Sequence, residues 1–169
     1  WVRRIEVRRA WPDRLDVRIE EHVAFAYWSD QRLVNTYGEL FVGTTSATLP
    51  RFAGPAGAAF EVTHRYHEFR RIVQPLEQSI ARVTLTDRYG WELALANGLQ
   101  IVLGRDQGRS SAADRLERFV AIYPNVIVPL NRKVNYVDLR YANGFALRVP
   151  ELLQMNPQKN APTPVRKRA

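Results

Sequence analysis

The residues best equipped to do chemistry lie in Glu61-x-x-His64-x-x-His67-Glu68, which sets carboxylates and imidazoles at helical spacing. Side chains of these types bind transition metals or exchange protons, and Glu-x-x-His is a di-iron element when a second helix supplies its counterpart. Helical geometry turns this cluster outward. Ala59, Val62, Tyr66, Phe69, Val73 and Leu76 recur every three or four residues and mark the buried stripe of a helix from Ala58 to Leu76, ended by Pro75. His64 stands two residues from Val62, about 200° around that helix, and so faces solvent. A catalytic metal needs three or four convergent ligands, yet no second Glu-x-x-His occurs and His22 is the one other histidine. The reading is an exposed polar face, with no metal and no cofactor.

Nucleophilic chemistry has no better footing. The chain lacks cysteine, which removes thiolate ligands, disulfides and a thiol nucleophile, and which fits an oxidising compartment. No serine occupies a G-x-S-x-G elbow. Gly104-Arg105-Asp106-Gln107-Gly108 has two glycines without the phosphate-cradling spacing and reads as a loop. A cell-wall hydrolase would need converging carboxylates, for which Asp87 and Glu92 are the nearest and poor candidates. The chain is therefore read as non-enzymatic, and the chemistry left to it is binding.

The stretch best suited to binding runs from Val137 to Val149. Two alternating runs flank Asn143-Gly144, a dipeptide that tolerates positive φ and suits a tight hairpin turn. Val137, Leu139 and Tyr141 share one face while Asp138 and Arg140, an expected ion pair, share the other. In the return run Phe145, Leu147 and Val149 alternate with Ala146 and Arg148. A hairpin closing a sheet leaves its last strand with one partner, and such an edge can accept a strand from another protein. The Tyr141 ring either packs inward or offers an amphipathic contact at an interface.

The elements that would carry this edge follow from periodicity. Ile5–Arg9 and Leu15–Glu20 alternate about a turn at Trp11-Pro12-Asp13-Arg14 and form a hairpin with one apolar face, which needs a cover. His22–Trp28 is a strand with Val23, Phe25 and Tyr27 on one side, and a hairpin follows about Asn35-Thr36-Tyr37-Gly38. Residues 49–57 are a loop by their Pro and Gly content. Beyond the helix, residues 80–103 form a three-stranded meander. Ser110-Ser111 caps a second helix whose stripe is Ala112, Leu116, Phe119, Val120 and Tyr123, stopped by Pro124; Val126–Leu130 is a short strand or an anchored loop. The fold class is α+β: a mostly antiparallel sheet with two helices on one face.

At 169 residues and 46% hydrophobic content the chain can bury one core. Its formal charge of +8 raises a basic nucleic-acid-binding domain as the alternative function. The arginines, however, alternate with apolar residues in strands, and Trp28, Trp91, Phe119 and Tyr123 occupy core positions rather than a stacking platform. Arg166-Lys167-Arg168 is the one clear basic cluster, in a Pro-rich tail (151–169) expected to be disordered. The chain starts strand-like at Trp1-Val2-Arg3-Arg4-Ile5 without Met, and is read as a fragment with any membrane span upstream.

Four stretches carry a family resemblance: Val7-Arg8-Arg9-Ala10-Trp11-Pro12-Asp13 with Val17 and Glu21; Leu49-Pro50 with Phe52-x-Gly54-Pro55; Leu103-Gly104-Arg105 leading into Arg115-Leu116-x-Arg118-Phe119-Val120-x-x-Tyr123-Pro124; and Tyr136-Val137-Asp138-Leu139-Arg140-Tyr141 with Asn143-Gly144. In this order they resemble the FtsQ/DivIB family of bacterial cell-division proteins. The resemblance implies a single-pass inner-membrane protein of the division septum, with a POTRA domain and a distal β-domain in the periplasm. On that basis residues 1–22 are the closing hairpin of a POTRA domain, 23–150 the β-domain and 151–169 the tail. It implies a divisome scaffold that binds FtsB and FtsL, in contact with FtsK, FtsW, FtsI and FtsN. The implied partner-binding positions are Arg105, Tyr136, Arg140, Tyr141, Asn143, Gly144, Phe145 and Ala146. Ala24 and Ala142 stand where many family members have proline, and Arg148-Val149-Pro150 replaces a usual terminal aromatic.

Overall fold

The computed structural model describes residues 1–29, 32–108, 110–141 and 144–150, so the expectation of a disordered tail lies outside the described residues. A hairpin of β1 (Val2–Ala10) and β2 (Arg14–Glu21) precedes a nine-stranded sheet. The sheet strands are β3 (Ala24–Trp28), β4 (Arg32–Asn35), β5 (Leu40–Phe41), β6 (Arg51–Ala53), β7 (Ile80–Leu85), β8 (Trp91–Leu95), β9 (Gln100–Gly104), β10 (Tyr136–Asp138) and β11 (Ala146–Arg148). Their spatial order is β11-β10-β9-β8-β7-β6-β3-β4-β5. Helix α1 (Ala59–Val73) joins β6 to β7, and α2 (Ala112–Val126) joins β9 to β10.

The α+β class holds, and the sheet is mixed for a specific reason. Each helix is a crossover, and a crossover returns the chain parallel to the strand it left. Thus β6 pairs parallel with β7, and β9 parallel with β10, while the 80–103 meander is antiparallel as expected. Residues 49–57, expected to be a loop, instead contain β6, parallel to both β3 and β7 in mid-sheet. Three residues are too few for a readable period, and Phe52, buried at 1% exposure, is the side chain that places them.

The helix ends follow their local chemistry. Ser111 accepts from the Asp114 amide at 3.0 Å while Asp114 accepts from the Ser111 amide at 2.8 Å, a reciprocal capping box that starts α2. Pro124 does not stop this helix, contrary to expectation; α2 runs on to Val126. Only the last turn lies beyond it, so a single amide donor is lost, and the next bond, from the Ile127 amide to the Tyr123 carbonyl, is intact at 2.9 Å. Ile127 is buried, and its burial holds the turn in place. Val128–Leu130 then forms a 3₁₀ turn, so the strand alternative for Val126–Leu130 is ruled out.

The core lies between the helices and one face of the sheet. Val62, Tyr66, Phe69 and Val73 of α1 and Leu116, Phe119 and Val120 of α2 meet Val83, Leu93, Ile101, Leu103 and Val137. Both stripes match the periodicity of the sequence, and His64 and His67 are exposed. In β3 the inward pair is Ala26 and Trp28, with Phe25 and Tyr27 half-buried and Val23 exposed. A register shift between Ala24 and Ala26 interrupts the simple alternation there.

The hairpin is joined to the sheet at its open end. Arg3 donates to Glu20 at 2.6 Å and to Glu39 at 2.5 Å, Asn35 donates to Glu39 at 2.7 Å, and the His22 ring stacks on Phe41 with centroids 4.4 Å apart. Hydrogen bonds from Arg3 and then Asn35 hold the Glu39 carboxyl down to about 2. Beyond this clasp, Ile5 faces Ile19 and Val7 faces Val17 in register, and all four remain more than half exposed.

Two outcomes test this description. Phe52→Ala is expected to lower stability in urea by about 3–5 kcal/mol, the cost of a vacated core site rather than of a loop change. A free glutamate titrates near 4.3, above the folded Glu39, so the clasp contributes fully above that range. It is lost as pH falls through about 2. The Trp1 indole resonance is expected to shift across this acid window in the native chain and not in Glu39→Gln.

Candidate partner-binding edge

Strand β11 is the end of the sheet and pairs only with β10 among the described residues. The register is Tyr136 with Arg148, Val137 with Leu147 and Asp138 with Ala146. A two-residue turn at Asn143-Gly144 would instead pair Ala142 with Phe145 and set Leu139 opposite Arg148. The observed register sets Val137 opposite Leu147, so apolar meets apolar on the core face, and that preference outweighs the turn dipeptide. Asn143, one of the expected site residues, lies outside the described residues.

On one side of β10, Asp138 and Arg140 form the expected ion pair. Arg140 Nε lies 2.9 Å from Asp138 Oδ1 and Nη2 lies 2.6 Å from Oδ2, with the carboxylate buried and the guanidinium 60% exposed. The Arg140 hydrogen bonds hold the Asp138 carboxyl below its usual range. Two of the guanidinium nitrogens are thus engaged within the chain, and among the described residues Nη1 makes no hydrogen bond. Gly104, at φ +75°, makes room for this arrangement: a Cβ there would meet Arg140 Cγ at 2.8 Å. Arg105, exposed, follows it directly, and Arg88 joins Arg105 and Arg140 around the same depression of about 280 Å³.

The Arg105 backbone is held from below by Arg115, which is 6% exposed. Its guanidinium donates to the Leu103 carbonyl at 2.7 Å, to the Ser110 carbonyl at 2.7 Å and to the Arg105 carbonyl. One side chain thus ties together carbonyls of the end of β9 and of the loop that follows, where the Ser110 carbonyl also accepts from the Gln107 amide at 3.2 Å. Desolvation lowers the Arg115 pKa from its ordinary value.

On the other side of β10, Leu139 and Tyr141 point toward α2. With Gly144, Phe145, Phe119 and Ile122 they line an apolar groove of about 630 Å³, which Arg118 borders. Phe119 meets Phe145 edge-on with centroids 5.9 Å apart, fixing the groove floor, while Tyr141 stands 58% exposed at its rim. Ala146 and Gly144 are exposed on the edge, and a Cβ on Gly144 would touch nothing. Tyr136 is not part of either cluster; it lies on the sheet face away from the helices, under the Arg148 guanidinium 4.9 Å from its ring centre.

Among known proteins, the family profile described as "Cell division protein FtsQ/DivIB, C-terminal" matches residues 26–140. The chain belongs to the FtsQ/DivIB family. It is 43% identical over 148 residues to the cell division protein FtsQ of Nitrosospira multiformis, covering 88% of this chain and 61% of that protein. It is 42% identical over 151 residues to FtsQ of Burkholderia pseudomallei, covering 88% of this chain and 60% of the relative. FtsQ of Escherichia coli is 33% identical over 154 residues, 87% of this chain and 54% of its own length. The chain thus spans about three-fifths of the length of the Nitrosospira and Burkholderia relatives. No helix among the described residues is long and apolar enough to cross a membrane.

Within this FtsQ fold the expected positions separate into a polar group (Arg105, Arg140), an apolar group (Tyr141, Gly144, Phe145) and Tyr136, on the same side of β10 as Arg140 but in a separate depression, with Ala146 on the edge. Sequence reading did not count Arg115, Arg118, Ile122 or Arg88 among the binding positions, although Arg115 and Arg118 stand in the family motif it quoted. Arg118 and Ile122 flank the α2 stripe by one helical step, which is a usable signal; Arg115 is marked only by that motif, and Arg88 sits in a turn without a signal.

Gly104→Ala places a Cβ at positive φ and against Arg140, and is expected to cost about 1–2 kcal/mol in denaturant unfolding. Because the Asp138 carboxyl is lowered chiefly by Arg140, displacement of that arginine is expected to move its titration, followed by carboxyl NMR, up toward the ordinary range.

Proposed function

We propose that this chain is the periplasmic β-domain of an FtsQ scaffold, preceded by the closing hairpin of its POTRA domain. It binds the division partners FtsB and FtsL by accepting a partner strand along β11. The observation that carries the reading is the position of β11 at the sheet border, with the small, exposed Ala146 beside an apolar groove. A strand added there gains main-chain hydrogen bonds, and side chains next to it find two different surfaces: the groove at Tyr141 and Phe145, and the arginines at positions 105 and 140. The groove suits an aromatic or aliphatic anchor, and the arginines suit carboxylates, Arg140 through the N–H groups that its pair with Asp138 leaves unused.

The hairpin supports the domain reading independently. Its apolar face of Ile5, Val7, Val17 and Ile19 is exposed, and a two-stranded ribbon is not stable alone in water. In a POTRA domain helices cover such a face. On the family resemblance the protein is anchored in the inner membrane by a single helix, works at the septum, and contacts FtsK, FtsW, FtsI and FtsN. Its role is to hold proteins together, without catalysis of its own.

Tyr141→Ala and Arg140→Glu are each expected to abolish capture of an FtsB periplasmic segment by the purified chain while leaving its circular-dichroism spectrum unchanged. Hydrogen exchange across residues 136–149 is expected to slow on partner binding. Full capture by both variants, or unchanged exchange at 145–149, rejects strand addition.

A further inference from the structure

The sheet face opposite α1 and α2 carries a row of side chains that the strand registers bring into line. Arg51 of β6 is the partner of Tyr27 on β3 and of Arg82 on β7. Arg82 pairs on with Ala94, Ala94 with Gln100, and Gln100 with Tyr136, whose own partner is Arg148. The three arginines and Gln100 are exposed, so this row is a surface and not a core layer.

Two features of the row point to a missing anion. Arg51 and Arg82 are direct cross-strand partners, and like charges so placed oppose pairing. Among the described residues neither has a carboxylate within ion-pair distance, although carboxylates are paired with Arg3, Arg65 and Arg140 elsewhere in the fold. The second feature is the state of the rings. Arg51 lies over Tyr27 at 5.5 Å and Arg148 over Tyr136 at 4.9 Å, so each exposed ring face is already covered by a cation of the chain itself. A base or a sugar that stacks on aromatic faces finds guanidinium groups there instead.

Ala94, small between Arg82 and Gln100, leaves a trough of about 280 Å³ along the row. Glu92 is the one carboxylate lining it, next to Thr84 in the adjacent row. A continuous phosphate backbone would be repelled at Glu92. A polypeptide that carries carboxylates only at intervals would pass it.

We propose that this face docks an acidic segment of a partner polypeptide laid across the strands, with carboxylates meeting the Arg51–Arg82 pair and Arg148. Strand spacing sets the pattern it must carry: carboxylates at the Arg51–Arg82 step, and another about 19 Å farther on at Arg148, four strand steps from Arg82. The Arg51–Arg82 end of the surface is distinct from the β11 edge, whereas Arg148 belongs to both.

The test uses fluorescence anisotropy of a labelled synthetic peptide that carries two glutamates at one end and a third about six residues farther on, with Ala and Gln between, against the native chain, Arg82→Glu and the double variant R51Q/R82Q. Arg82→Glu replaces a like-charge pair with an opposite-charge pair. It is expected to raise the melting temperature and to weaken peptide binding by about tenfold or more, and R51Q/R82Q is expected to match that loss without a lower melting temperature. Slowed exchange at β11 with an FtsB segment is expected to persist in Arg82→Glu, which separates failure here from failure of strand addition. Unchanged peptide affinity in both variants overturns the proposal, as does a lowered melting temperature in Arg82→Glu. A single-stranded DNA oligonucleotide of equal charge that binds as tightly as the peptide also overturns it, since the face would then read bare polyanion charge.

Discussion

Everything in this fold depends on both helices being laid on the same side of one sheet. Val83, Leu93, Ile101 and Val137 are register partners in turn across β7 to β10, and they form the floor on which Phe69 and Phe119 rest. Burial of that floor is the main favourable term, and in β7, β8 and β9 it leaves the alternate residues exposed or half-buried on the other side. The two faces therefore acquire separate tasks. Stability is concentrated on one, and charge on the other.

The same alternation divides the binding edge. Along β10 the chain sends Val137, Leu139 and Tyr141 to the helix side and Tyr136, Asp138 and Arg140 to the open side. A partner strand at β11 would thus lie at a corner, with an apolar groove on one hand and cations on the other. Specificity at such a corner comes from needing both, since a purely greasy or purely acidic strand satisfies half of it. Gly104 and Arg115 support the cationic half from within the chain. One removes a side chain from under Arg140, and the other ties down the carbonyls on which Arg105 stands.

The hairpin and the sheet meet through charge and rings instead of a shared core. Arg3 bridges Glu20 and Glu39, and His22 and Trp1 pack on Phe41. A contact of this kind fixes direction with little buried apolar area, as expected where a domain begins next to another. It leaves Ile5, Val7, Val17 and Ile19 for a different cover, which is how a hairpin belonging to a preceding domain would look.

Much of the architecture was legible in residue order because its causes are local. The stripes of α1 and α2, the Ser111 cap, the outward turn of His64 and His67, and the 80–103 meander follow from periods of 3.6 and 2 and from hydrogen bonds between near neighbours. Motifs likewise marked Arg140, Tyr141 and Phe145. What residue order did not contain was pairing between distant segments. β6 is three residues among prolines and glycines, and it is a strand only because β3 and β7 offer it partners on both sides. The closing hairpin takes a register three residues away from the one its Asn-Gly dipeptide favours, because matching Val137 to Leu147 buries more than a tight turn saves. Arg51 and Arg82 are 31 positions apart in the chain and become neighbours solely through a parallel pairing that α1 makes possible. Local patterns are set by bonds a few residues long, whereas which strands lie side by side is settled by the burial of the whole sheet at once.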